Sequence, residues 1–131
     1  MGSQFINKGI TLPNHIWSSW VNLEAHEIVY KIHRDYINAG ANYITTNTFR
    51  TTPRAYKKIG LSDSESKILA KTSLKTAVSI AKKAALDNVQ ILGSIAPLED
   101  CYKPDLFPGK TSAKKEFSEI SDWLYHAGID I

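Results

Sequence analysis

The chain of 131 residues is about the size of one domain, and its 43% hydrophobic and 22% charged content excludes a disordered tail. A net charge of +3 and a pI near 8.9 do not demand nucleic acid, because the lysines fall mostly in segments that read as solvated helix faces. The single cysteine, Cys101, excludes an internal disulfide or a cysteine-based zinc site closed within the chain, and no apolar run approaches the ~18 residues of a membrane span.

Without a signal-peptide pattern at its start, the chain reads as cytoplasmic and soluble, with no nucleic-acid or membrane partner. The first periodic segment runs from Leu23 to Asn38, where Ile28, Val29, Ile32, Tyr36 and Ile37 recur at helical spacing. Asn22 is its expected N-cap, Glu24 and Glu27 lie near its positive end, and Gly40 supplies a left-handed stop. A strand over residues 43–49 follows. The second helix opens at Ser62, which with Glu65 forms a capping box, and its apolar line is expected along Ile68, Leu69, Ala77, Val78, Ala81 and Ala85. Asp87 and Asn88 mark the turn into a strand over residues 89–95. The third helix starts near Thr111 or Ser112, carries Phe117, Ile120, Trp123, Leu124 and Ala127, and ends at Gly128 before a last strand over residues 129–131.

The joint "NAGANYI" at Asn38–Ile44 returns as "HAGIDI" at His126–Ile131, 88 residues later, with "AALDNVQIL" halfway between. This spacing predicts a βα unit of about 44 residues, and right-handed crossovers between such units build a parallel barrel or an open sheet. Both inner strands turn polar at their C-terminal ends, the first into Thr45, Thr46, Asn47 and Thr48, the second into Gly93 and Ser94. Ligands of parallel α/β folds bind at those ends, so the polar tops are candidate site residues. Hydroxyls that satisfy one another at a strand top are the competing explanation. His15, His26, His33 and His126 lack metal-binding spacing and read as satisfied helical histidines, and Trp17 and Trp20 read as packing. Tyr102 and Phe107 lie on the long loop at the expected ligand side.

"HRDYINAGANYITTNTFRTTPRAYKKIG", followed by "GSIAPLEDCY" and "AGIDI", closely resembles the homocysteine S-methyltransferase family. "TTNTF" at Thr45–Phe49 with "GSIAP" at Gly93–Pro97 is the specific part of that likeness. The resemblance implies a (β/α)8 TIM barrel in which zinc holds the homocysteine thiolate while a methyl group arrives from a donor such as S-methylmethionine, betaine or a methylated folate or cobalamin. It implies that residues 1–131 are part of a single barrel domain, lacking the first strand and everything after the start of the fourth. Gly2 and Ser3 match the end of the family's first-strand motif and would edge the amino-acid site. Asn47, Thr48 and Phe49, with Gly93 and Ser94, would line the pocket for substrate or donor. No catalytic residue or zinc ligand is expected within the chain, since the family's ligands fall beyond Ile131, and Cys101 matches none of them. The alternative is an inactive truncated or split chain that needs a partner, or a homo-oligomer formed through exposed sheet edges.

Overall fold

The computed structural model describes residues 1–86 and 88–129. Six helices, α1 (Gly2–Asn7), α2 (Val21–Glu24), α3 (His26–Asn38), α4 (Pro53–Lys57), α5 (Asp63–Ala84) and α6 (Lys110–His126), alternate with two strands, β1 (Tyr43–Thr45) and β2 (Gln90–Leu92). The strands pair in parallel, with Tyr43 opposite Gln90, Ile44 opposite Ile91 and Thr45 opposite Leu92. This is the α/β architecture expected from the repeat. The expected last strand yields only a buried Ile129, and both its remaining residues and Asp87 lie outside the described residues.

Each strand is shorter than its polar and apolar composition predicts. After Thr45 one more ladder bond forms, from Thr46 N to Leu92 O at 2.9 Å. Beyond it, side chains take over the ladder's role: Ser94 N donates to the Thr46 and Thr48 hydroxyls at 3.2 Å each, and Thr48 Oγ1 donates to Ser94 O at 2.6 Å. The backbone groups are satisfied without a strand, so the strand ends.

The first helix differs from expectation for a related reason. Asn22 is not an N-cap; it lies inside α2, fully buried, and its amide reaches across to β1. With that side chain turned inward the helix is interrupted at Ala25 (φ −144°, ψ 56°), and α3 starts without a side-chain cap. The stop is as expected, because Gly40 adopts φ +97°, a region that costs glycine little. The capping box of α5 forms as predicted: Glu65 N donates to Ser62 Oγ at 3.3 Å and Ser62 N donates to Glu65 Oε2 at 3.0 Å. Along α5 the buried face runs through Ala70, Leu74, Ala77, Val78, Ala81 and Ala84, whereas Ile68 is 61% exposed and does not belong to it.

Two apolar clusters hold these layers together. One joins α4, α5 and α6 through Tyr56, Leu74, Val78, Ile120, Trp123 and Leu124. The other packs Phe5, Leu12 and Val21 against Val29 and Ile32 of α3 and Ile80 of α5. The "MGSQF" segment is therefore a helix anchored by Phe5, not the tail of a strand. Tyr43 and Leu92 remain 59% and 44% exposed, on one face of the sheet.

Candidate functional site

The seven residues that leave β1, Thr46–Thr52, include six polar ones, of which Thr46, Asn47, Thr48, Thr51 and Thr52 are buried. Burying that many polar groups costs free energy unless each finds a partner. Here they do. Asn47 donates both amide hydrogens, to Ser18 O and to Asn22 Oδ1, each at 2.8 Å. Asn22 in turn donates to Asn47 O at 2.8 Å and to Ser73 Oγ at 3.0 Å, and Ser73 Oγ donates to Ser19 O at 2.9 Å. Thr46 and Thr48 hydroxyls share a hydrogen bond at 2.8 Å, and Thr51 Oγ1 donates to Thr48 O at 2.8 Å. Thr52 caps α4 by accepting from Ala55 N at 3.1 Å, ahead of Pro53 at the first helical position. The network ties the 3₁₀ turn Trp17–Trp20, α2 and α5 to the end of β1. Asn47 Oδ1 alone accepts no hydrogen bond among the described residues, which leaves one acceptor of that amide free.

The Tyr56 hydroxyl is buried beside this network with no partner in hydrogen-bond geometry. Burial raises its pKa, while the neighbouring Ser19 and Ser73 hydroxyls pull in the other direction. His33 is a second buried polar group without a partner at Nε2, contrary to the satisfied histidine expected there. Burial first, and the N-terminal ammonium second, lower its pKa to about 4. It lines a 250 Å³ cavity with Met1, Tyr36 and the outer edge of β1.

A second kind of surface opens next to the buried network. A cleft of 300 Å³ is lined by Trp17, Phe49, Arg50, Asp100, Cys101 and Tyr102, drawn from the segment before α2, the end of β1 and the loop after β2. Phe49 is half-buried on its wall, with the Arg50 guanidinium 5.9 Å from its ring centroid. Trp17 and Arg50 adopt φ +47° and +61°, the non-glycine residues in the left-handed region among those described. Such conformations persist only where the surroundings enforce them, and they concentrate at functional sites.

Thus Asn47, Thr48 and Ser94 come together in one hydrogen-bonded group, and Phe49 reaches the adjoining cleft. Gly93 faces the other way, toward α6, where an added Cβ would meet Leu124 Cδ1 at 3.0 Å and Ile129 Cγ2 at 3.3 Å. Gly2 lies in α1 against Trp17, whose Nε1 would be 2.6 Å from a Cβ at that position, so the glycine admits the tryptophan that walls the cleft. Ser3 sits beside it on α1 and is exposed. Neither Arg50 nor Asp100 stands out in the sequence. Among the described residues no group of three or more His, Cys, Asp or Glu can hold a metal ion, and Cys101 is exposed and alone.

A cavity of 580 Å³ lies elsewhere, between α4, α5 and α6. Most of its charges are engaged with partners. Arg54 forms a fork with Glu116 (2.9 and 2.5 Å) and reaches Glu99 at 3.1 Å, Lys58 also pairs with Glu99, and Lys67 pairs with Glu119 at 2.5 Å. Burial pushes the Glu99 carboxyl up, but Lys58 and Arg54 outweigh it and hold the group below the usual range. These pairs fasten the loop after β2 to the helices, which fixes the position of the cleft's far wall.

A family model described as homocysteine S-methyltransferase matches residues 1–131. The chain belongs to the homocysteine S-methyltransferase family. Homocysteine S-methyltransferase of Escherichia coli is 28% identical over 102 residues, covering 74% of this chain and 33% of that protein. Homocysteine S-methyltransferase YbgG of Bacillus subtilis is 32% identical over 84 residues, 64% of this chain and 25% of the relative. The fold superposes on the metallated form of the homocysteine methyltransferase MmuM from Escherichia coli with a TM-score of 0.83 at 24% identity, covering 100% of this chain and 49% of that one. The chain thus spans a quarter to a half of the length of these relatives.

Proposed function

We propose that this chain is about the first half of a homocysteine S-methyltransferase barrel, contributing the C-terminal ends of β1 and β2 to the mouth of a cytoplasmic enzyme that methylates homocysteine to methionine. The observation that carries the reading is the family match across all 131 residues. Further support comes from Asn47, Thr48, Phe49 and Ser94, which lie together at the C-terminal ends of parallel strands, where such folds bind ligands.

In this reading the homocysteine sulfur, having lost its proton, attacks the methyl carbon of a small donor such as S-methylmethionine. A sulfur–carbon bond forms to homocysteine as the donor's sulfur–methyl bond breaks, and its electron pair returns to the donor sulfur. A sulfonium becomes a thioether, and two molecules of methionine result. The contribution of these residues is to position: Asn47, Thr48 and Ser94, bonded to one another and to neighbouring elements, hold the strand ends in place, and Phe49 walls the adjoining cleft in which sulfur and methyl would meet in line. Gly2 and Ser3 would edge the amino-acid site from α1, and Gly93 and Ser94 would flank it. Zinc belongs to the complete enzyme in this account. The described residues do not fit it, because they gather no ligand set, so no step is derived through it here.

The exposed Tyr43 and Leu92 favour an accompanying statement, that activity requires further polypeptide against this face of the sheet, from the same protein, a second copy or a complementing chain. The test is an assay of protein purified from its native source with homocysteine and trideuteromethyl S-methylmethionine. Trideuteromethyl methionine is the expected product. Its absence, with betaine and methylated folate equally unproductive, would overturn the reading.

A further inference from the structure

Among the described residues the sheet holds two strands, so β1 has a neighbour on one side only. Asn42 O accepts from Gln90 N and Thr46 N donates to Leu92 O, both at 2.9 Å. Ladder bonds alternate along a strand, so the N–H and C=O groups of Tyr43 and Thr45 point the other way, to the open edge. Tyr43 and Thr45 are exposed, while Ile44 between them is buried. The same side of the strand holds the 250 Å³ cavity and the unpartnered Nε2 of the buried His33, which makes it the unfinished margin of the fold. Edges that stay open in monomeric proteins are guarded by lysine, proline or a bulge. The stretch from Ala41 to Thr46 carries no charge and no proline.

We infer that this edge is an interface between two copies of the chain, with β1 pairing antiparallel to β1 of the second copy about a two-fold axis at Ile44. In that register Tyr43 stands opposite Thr45 of the second copy and the two exchange both backbone hydrogen bonds, so every free backbone group of Tyr43 and Thr45 in both copies is met. No other antiparallel register of the strand does so. An aromatic residue opposite a β-branched one is a favourable cross-strand pair, and the contact is isologous because the edge is its own complement. Two sheets too small to be stable alone become one continuous sheet. The amount of polypeptide agrees: this chain covers 49% of MmuM, so two copies supply the length that the related fold takes from one chain. The inference does not depend on the methyl-transfer reading.

Sedimentation equilibrium of the 131-residue chain over a wide range of concentration tests it, together with amide exchange followed by NMR. The weight-average mass should rise from 14.6 kDa toward twice that value. The Tyr43 and Thr45 amides should exchange fast in dilute protein and slowly in concentrated protein, whereas the Ile44 amide, committed to β2, stays protected throughout. Tyr43→Lys and Thr45→Glu each bring like charges diagonally across the axis and should weaken association by about tenfold or more. Mixed together, the two variants set lysine opposite glutamate and should restore it. A mass of 14.6 kDa at every concentration, fast exchange at Tyr43 and Thr45 in the concentrated protein, association unmoved in both variants, or a mixture no tighter than either variant alone would overturn the assignment. Exchange is read on the parent chain, so a variant that fails to fold does not blunt the test. Self-association in a protein that transfers no methyl group would sink the enzyme reading alone, and methyl transfer by a protein that stays monomeric would sink this interface alone.

Discussion

The buried end of β1 and the cleft beside it are both polar, yet they are built in opposite ways. From Thr46 to Thr52 the buried polar side chains meet a hydrogen-bond partner within the fold, with Asn22 and Asn47 as the crossing point. Around the cleft, Arg50 and Asp100 have no ionic partner among the described residues, and Trp17 and Arg50 hold left-handed backbone there. A satisfied polar cluster fixes a structure, and an unsatisfied one waits for a ligand. Polarity at a strand end is therefore not enough to mark a binding residue; what distinguishes the two regions is whether the donors and acceptors are already spent.

The largest effect should come from breaking the satisfied region. Asn22→Leu keeps the volume but strips partners from Asn47 O, the Asn47 amide and the Ser73 hydroxyl, and should cost about 4 kcal/mol of stability in denaturant unfolding. A loss below about 1 kcal/mol would mean that the network is replaceable by water.

A smaller effect, spread over pH, should come from His33. Its folded pKa lies below the unfolded value, so above about pH 6.5 the group is neutral in both states and has no influence. As pH falls from there toward 4 the unfolded chain takes up a proton that the folded chain refuses, and stability drops by up to about 3 kcal/mol. Between pH 7 and pH 4 the unfolding midpoint of the parent should fall relative to that of His33→Leu. Parallel pH profiles would show that the imidazole finds a partner in solution.

The smallest effect has the opposite sign. Arg50→Gly removes the side chain from a left-handed position and should raise stability by about 1 kcal/mol or leave it unchanged, offset in part by the looser unfolded chain. A clear loss of stability would place Arg50 with the structural residues and erase its contrast with Asn47.

Much of this fold was legible in the sequence because its signals are local. The capping box at Ser62 and Glu65 and the stop at Gly40 each depend on residues a few positions apart, the βα alternation is spelled out by a spaced repeat of such local joints, and each appears in the structure. What failed depended on distance. Asn22 looks like a helix cap by its neighbours and is instead a tie to β1, 25 residues away. Ile68 fits the apolar line of α5, but the helix turns that position outward. The polar strand ends were readable as candidates, whereas their exhaustion by Ser18, Asn22 and Ser94 was not, because those partners come from other elements. Arg50 and Asp100 carried no pattern at all; only a shared cleft and a strained backbone single them out.

The central claim is that the end of β1 holds structure while the adjoining cleft serves the reaction, and one paired measurement tests it. Asn47→Leu and Arg50→Met, placed in the native protein, should be compared for melting temperature and for methyl transfer to homocysteine in the same preparation. The account predicts that Asn47→Leu lowers the melting temperature sharply and that whatever remains folded turns over with little change. Arg50→Met should leave the melting temperature in place and lose most of the turnover. The reverse pattern, with turnover lost at Asn47 in a fully stable protein and retained at Arg50, would contradict it.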